Sequence, residues 1–255
     1  MHRARKRFGQ NFLIDSGIIQ SLVHAISPQA SDKIVEIGPG LGALTKPLIE
    51  KLNHLEVIEL DRDLIKQLET LKNQSGKLTI YESDALKFNF SATEYPRRIV
   101  GNLPYNISTP LIFHLLEHIN SITDMHFMLQ NEVVDRICAA PGNRNFGRLS
   151  VMVQVKCHAQ KLIQIPAQSF SPAPKVESAF VRLIPLKQAL VPKHLEHNFA
   201  KIVQISFSQP RKTINNNLKK FLTQNEIIDA GISPNIRPQQ LKIENLLSLA
   251  RLIDK

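Results

Sequence analysis

Along the first three-quarters of the chain the apolar positions switch between two periods. Short aliphatic or β-branched runs, Lys33–Ile37, Leu55–Leu60, Leu78–Tyr81, Arg98–Gly101 and Asp124–Gln130, read as strands. Between them, Ile18–Ile26, Leu44–Leu52, Asp63–Leu71 and Pro110–His118 carry apolar residues three and four apart and read as helices. Pro110 suits a first helical turn, with Ser108 or Thr109 as the cap. Leu149–Cys157 and Ala179–Leu183 are two later strand candidates. Strands alternating with helices predict an α/β fold, its parallel sheet covered on both faces. Beyond Pro185 only helical stripes remain, over Lys193–Phe207, Lys212–Leu222 and Ile243–Ile253. Two domains are expected: an α/β domain at 1–185 and a small all-helical domain at 186–255.

Composition narrows the class. The chain has 255 residues, 43% hydrophobic and 21% charged, enough to bury a core. No apolar run approaches the roughly 18–20 residues of a membrane span. The basic start, residues 1–12, lacks the apolar core of a secretory signal. Two cysteines, Cys138 and Cys157, cannot build a disulfide scaffold or a four-ligand zinc site. The nine histidines show no ligand spacing, so no metal is expected. A reducing, cytoplasmic setting fits best. The net charge of +10 points to a polyanionic partner, most often nucleic acid. The last 71 residues carry 11 basic against 5 acidic side chains, more than half of the excess. Any single Lys or Arg reads equally well as a solvated surface charge.

Four places carry candidate chemistry. Glu36-Ile37-Gly38-Pro39-Gly40-Leu41-Gly42 follows a strand and precedes a helix. Glycines there permit a tight turn and close backbone approach to a ligand, though a plain strand–helix turn has the same look. Glu59 ends the next strand about 20 residues on, where an acid commonly holds two ribose hydroxyls. Glu36 sits badly beside a pyrophosphate, so a ligand with adenosine but no phosphate fits better: S-adenosylmethionine. Asp84 follows the third strand, placed to accept from an adenine amine or to lie solvated in a loop. Asn102-Leu103-Pro104-Tyr105 follows the fourth strand. An exocyclic adenine amine, the target that a resemblance of this segment to amine methyltransferases implies, is a poor nucleophile because its lone pair is delocalised into the ring. Acceptors at the Asn102 side chain and the Leu103 carbonyl favour a pyramidal nitrogen, Pro104 stiffens the turn, and Tyr105 offers a face for a flipped-out base.

This Asn-x-Pro-Tyr segment resembles the signature of methyltransferases acting on exocyclic amines. With the other motifs, the chain closely resembles the ribosomal RNA adenine dimethyltransferases of the kasugamycin-resistance type, over nearly its full length. The resemblance implies a Rossmann-like S-adenosylmethionine-dependent methyltransferase domain with a small helical domain behind it. It implies cofactor contacts from Asn11, Leu13, Gly38, Gly40, Glu59, Asp84 and Asn102. It implies catalytic roles for Asn102, Leu103, Pro104, Tyr105 and Phe170. Phe170 opens the stretch Phe170–Ser178 and is implied on the face of the target adenine opposite Tyr105. Asn145–Val151 and Ser206–Ile214 also match, with Arg148, Arg211 and Lys212 as RNA contacts; Pro210 stands where the family usually carries a second basic residue.

The implied reaction is dimethylation of two adjacent adenines in a hairpin loop near the 3′ end of small-subunit RNA. The implied partner is an immature 30S subunit, met by a monomer in the cytoplasm. The nearest rival is the antibiotic-resistance enzyme that methylates an adenine in large-subunit RNA; Leu103, where that enzyme typically has Ile, and the Phe170–Ser178 stretch weigh against it. Two further readings are a non-catalytic RNA-binding factor and a dinucleotide-dependent reductase. The intact Asn102–Tyr105 motif counts against both, and the glycine spacing also counts against the second.

Overall fold

A computed structural model describes residues 11–91 and 95–253. The chain divides into two compact units. One takes in the chain through Val134 together with Ala159–Pro185; the other holds Asp135–His158 and the chain from Leu186 onward.

In chain order the elements are β1 (Phe12–Leu13), α1 (Ser16–Ile26), β2 (Ile34–Ile37), α2 (Thr45–Lys51), β3 (Leu55–Glu59), α3 (Arg62–Ser75) and β4 (Leu78–Glu82). There follow β5 (Arg97–Asn102), α4 (Ser108–Glu117), β6 (Ile122–Gln130), α5 (Asn131–Ile137), α6 (Arg148–Gln154), β7 (Cys157–Ile165), β8 (Phe170–Ser171) and β9 (Ser178–Pro185). The chain closes with α7 (Glu196–Ser206), α8 (Ile214–Leu218), α9 (Gln224–Asp229) and α10 (Ile243–Leu252).

The first unit is built on a seven-stranded sheet of order β4-β3-β2-β5-β6-β9-β7. The first five of these strands run parallel. Their interior residues, such as Val35, Val57, Ile58, Ile99 and Val100, are buried, as expected of a sheet covered on both faces. The sheet is mixed rather than wholly parallel, because β9 runs antiparallel to β6. At Gly101 a side chain is excluded, since an added Cβ would stand 2.5 Å from the Ile37 carbonyl oxygen. The helices are set by local capping. The Asp15 carboxylate accepts from the backbone N–H groups of Gly17 and Ile18 at the start of α1, and Asp61 accepts from Asp63 at the start of α3. Helix α4 begins at Ser108 and has no side-chain cap; Ser108 instead donates its hydroxyl to the Tyr105 carbonyl at 3.1 Å.

In the second unit, Phe146, Val151 and Val155 pack in one apolar core with Phe199, Ile202, Ile214, Leu218, Leu246 and Leu249. Residues 135–158 therefore group with the helical tail, and the expected single division at 185/186 becomes an interleaved one. The expected strand at Leu149–Cys157 is instead helix α6, with β7 starting only at Cys157. The alternation of Leu149, Val151, Val153 and Val155 imitates a strand. Local capping and tertiary packing override it: Gly147 N–H donates to Ser150 Oγ at 3.0 Å, and the residues on several sides of this short helix are buried. Strand β7, missed from sequence, alternates too weakly to announce itself, with mostly half-buried and exposed positions. No described helix is long and apolar enough to cross a membrane.

Candidate active site

The strand order reverses direction between β2 and β5, and ligands of open α/β sheets bind outside the carboxyl ends of strands at such a point. A cavity lies there. Its lining includes Asn11, Leu13, Gly38, Gly40, Glu59, Asp84 and the run Asn102–Tyr105. Expected catalytic and cofactor residues spread from 11 to 105 thus converge on one concave surface.

The glycine loop leaves β2 with Gly38 N–H donating to the Ile58 carbonyl at 3.0 Å, which ties it to β3. Gly40 has a φ of +58, and an added Cβ would press on the Phe12 ring at 3.2 Å. The loop is therefore thin where strand β1 passes over it. Glu59 ends β3 and is held by backbone donors: Leu60 and Asp61 N–H reach its Oε1 at 2.8 and 2.9 Å, and Gly40 N–H lies 3.4 Å from Oε2. Burial pushes the Glu59 carboxyl above its usual range, against the pull of those donors. Glu36 is 2% exposed, and its Oε2 accepts from Thr45 Oγ1 at 2.7 Å. Burial raises the Glu36 carboxyl to about 7, with the Thr45 bond opposing and Glu59 adding to the rise. Two buried acids beside a glycine loop repel phosphate and suit a cationic ligand. Asp84 is braced by an N–H from Leu86 at 3.0 Å.

Asn102 is the last residue of β5. Its Nδ2 donates to the main-chain carbonyl of Asn11 at 3.0 Å. A carbonyl only accepts, so the amide is oriented without ambiguity: nitrogen toward Asn11, oxygen Oδ1 away from it. Leu103 buries its side chain and donates its N–H to the Met128 carbonyl at 3.2 Å, which steadies the chain just before Pro104. Tyr105 is half-buried, and its phenol oxygen lies 2.8 Å from Ser178 Oγ. Burial raises the Tyr105 phenol, keeping it neutral. The arrangement offers a fixed amide oxygen next to an aromatic face, in a cavity whose lining also holds three buried acids, Glu36, Glu59 and Asp61.

Phe170 is placed differently from the expectation. It is 3% exposed, pairs with Leu13 across the β1–β8 ribbon and joins the apolar core; it is not part of the cavity lining, so it offers no second stacking face there. A large apolar ring next to an aliphatic cluster is more stable inside it. The three expected RNA contacts all fall in the helical unit. Arg148 begins α6 and is exposed; Arg211 and Lys212 are exposed between α7 and α8, in a turn whose Gln209 carbonyl accepts from Asn217 Nδ2 at 3.2 Å. The basic residues Arg3, Arg5, Lys6 and Arg7, also expected near phosphate, lie outside the described residues. Sequence reasoning missed Thr45, Phe12 and Ser178. Thr45 had one signal, its place just past the glycine loop.

Residues 1–255, the whole chain, match the family model described as ribosomal RNA adenine dimethylase. The chain belongs to that family. The dimethylase is 52% identical over 243 residues to the ribosomal RNA small subunit methyltransferase A of Thiobacillus denitrificans, with 95% of each chain covered. Among solved structures it is similar to a dimethyladenosine transferase from Plasmodium falciparum, at 27% identity and a TM-score of 0.80 over 93% of this chain and 95% of that one. It shares the fold of the 23S rRNA methyltransferase ErmE, at 22% identity and a TM-score of 0.77, with 96% and 100% covered. With its family, the dimethylase is an S-adenosylmethionine-dependent enzyme with a Rossmann-like α/β domain. The lining fits that cofactor, with the carboxylates of Glu59 and Asp84 as acceptors and no Lys or Arg among its described residues to meet a pyrophosphate.

Proposed function

We propose that this chain transfers methyl groups from S-adenosylmethionine to the exocyclic amines of two adjacent adenosines in the 3′-terminal hairpin loop of 16S RNA. Supporting the choice of RNA is the 52% identity to a small-subunit enzyme along 95% of each chain, against 22% identity to ErmE. The fold does not separate the two RNAs, since both likenesses share it. The observation that carries the chemistry is the Asn102 amide, whose nitrogen is engaged by Asn11 so that Oδ1 remains to accept from the target amine.

The cofactor's sulfonium supplies an electrophilic methyl group. Asn102 Oδ1 and the Leu103 carbonyl accept the two amine N–H groups, which localises the lone pair on nitrogen for in-line attack. The amine proton would become acidic only after methyl transfer and would pass to water, so Asn102 and Leu103 need only accept and orient, and no strong base is needed. Positioning supplies much of the rate. Tyr105 stacks on the extruded base, an interaction worth roughly 1–3 kcal/mol. Loop bases are cheap to extrude because they are unpaired or easily splayed. Arg148, Arg211 and Lys212 meet phosphate, with counterion release driving association. The substrate is an immature 30S subunit, the enzyme is a monomer, and the setting is cytoplasmic.

The test is tritium transfer from labelled S-adenosylmethionine to undermethylated small subunits, large subunits and total rRNA, followed by nucleoside analysis. Dimethyladenosine from small subunits alone supports the proposal. Label on large-subunit RNA moves the assignment to the resistance-type activity, and no label with the cofactor still bound leaves an RNA-binding factor.

A further inference from the structure

We propose that Ser178 is a positioning residue, fixing where the Tyr105 ring stands from the start of strand β9. The inference rests on the stacking role given above to Tyr105. An aromatic side chain can take any of three staggered positions about its inner torsion, and each carries the ring to a different place. At the backbone end Tyr105 is held by the bond from Ser108 to its carbonyl, which leaves the ring free to swing. The phenol oxygen is the polar atom through which the ring can be held, and it meets Ser178 Oγ at 2.8 Å, a full-strength hydroxyl pair.

Ser178 itself has little freedom. It is 0% exposed and begins β9. Its Cα lies opposite Gln130 in the β6–β9 register, and the preceding Glu177 carbonyl accepts from Asn131 N–H at 3.0 Å. A buried hydroxyl is costly unless it is bonded, and Tyr105 supplies the bond. The stretch just before it, 171–177, is mostly exposed. Ser178 is therefore the first buried residue after that stretch, and it joins the sheet to a ring 73 residues away in sequence. The sheet fixes Ser178, Ser178 fixes the phenol oxygen, and that oxygen fixes where the ring meets the base.

Ser178→Ala and Tyr105→Phe each remove the same bond, from opposite ends, while leaving the ring. Either change should slow single-turnover methylation of undermethylated small subunits by roughly ten- to a hundred-fold, the scale of a small misplacement. Affinity for S-adenosylmethionine, read by calorimetry, and the midpoint of thermal unfolding should stay near wild type. The double variant should be no slower than the slower single variant. A double variant whose loss is the product of the two single losses overturns the inference, as does a wild-type rate in either single variant. If Ser178→Ala does not fold, Tyr105→Phe decides alone by the same rate criterion. Tyr105→Ala separates this inference from the reading beneath it. Full activity in Tyr105→Ala sinks the stacking role, whereas lost activity there with a wild-type rate in Ser178→Ala sinks only the positioning.

Discussion

The two units treat polar side chains in opposite ways. The sheet unit buries Glu36, Glu59, Asp61, Arg97 and His126. Among the described residues of the helical unit, the buried polar side chains are two serines, Ser150 and Ser206. Burying a charge costs several kcal/mol unless it is paired or bonded. The sheet unit meets that cost locally: backbone donors hold Glu59, Thr45 holds Glu36, and Arg97 pairs with Glu56 at 2.9 Å. The helical unit avoids it with an aliphatic core and keeps basic side chains such as Arg211, Lys212, Lys219 and Lys220 exposed. One unit carries chemistry that must be dry and fixed; the other carries charge that must be wet and reachable.

The sharpest break between them comes from Asn102→Ala. Single-turnover methylation should fall by about 10²–10³-fold, the scale for losing one aimed polar group at a reaction centre. Cofactor affinity should fall far less than the rate. Arg211→Ala, assayed at saturating RNA, should leave the single-turnover rate alone; if the two variants lose rate alike, the division of labour is wrong.

Next in size is Glu59→Ala. It removes a carboxylate proposed to hold both ribose hydroxyls, and bonds to charged groups contribute roughly 1.5–3 kcal/mol. Calorimetry should show S-adenosylmethionine bound about ten- to a hundred-fold more weakly. Unchanged affinity would remove Glu59 from the cofactor site.

A pH series sharpens the picture of the buried acids. The Glu36 carboxyl is raised to about 7, so the folded chain holds a proton there that an unfolded chain has released. Its contribution to stability is full below the ordinary carboxylate range and fades as pH rises toward about 7. A cationic ligand prefers the ionised form. S-adenosylmethionine should therefore bind more tightly as pH rises from about 6 to about 8, and Glu36→Gln should flatten that dependence. A slope that persists in Glu36→Gln would assign the proton elsewhere.

The smallest effect belongs to the helical unit. Removing Arg211 or Lys212 should weaken subunit binding a few-fold. The slope of log affinity against log salt should fall by about 0.9 for each phosphate that is no longer neutralised. Fluorescence titration at several salt concentrations would show it. An unchanged slope would make these residues solvated charges.

Much of this is legible in the sequence, and what is not has a common cause. Strands β2, β3, β5 and β6 announce themselves because apolar residues crowd their buried interiors. The glycine loop, Glu59 and Asn102–Tyr105 are local words at the ends of those strands, so their convergence follows from topology. Helix α6 reads as a strand because alternate valines serve a short buried helix as well as an extended chain. Phe170 turns into the core instead of the cavity because a motif names a residue without saying which way its ring points. The bonds that orient the site, Asn102 to Asn11 and Tyr105 to Ser178, join residues 91 and 73 apart. No local pattern encodes such a meeting.

The ribbon of β1 and β8 pairs Phe12 with Ser171 and Leu13 with Phe170, near the two ends of the sheet unit's sequence. A chain made from its N-terminus acquires β1, the glycine loop and Asn102 early, but the partner of β1 is translated only at residues 170–171. At about 5–20 residues per second, β1 waits roughly 10–30 s. Until then a two-residue strand has nothing to pair with, and the Asn102 amide has no fixed carbonyl to orient it. The site is thus timed as well as shaped: a nascent chain holds nearly every residue of the cavity well before it holds the cavity.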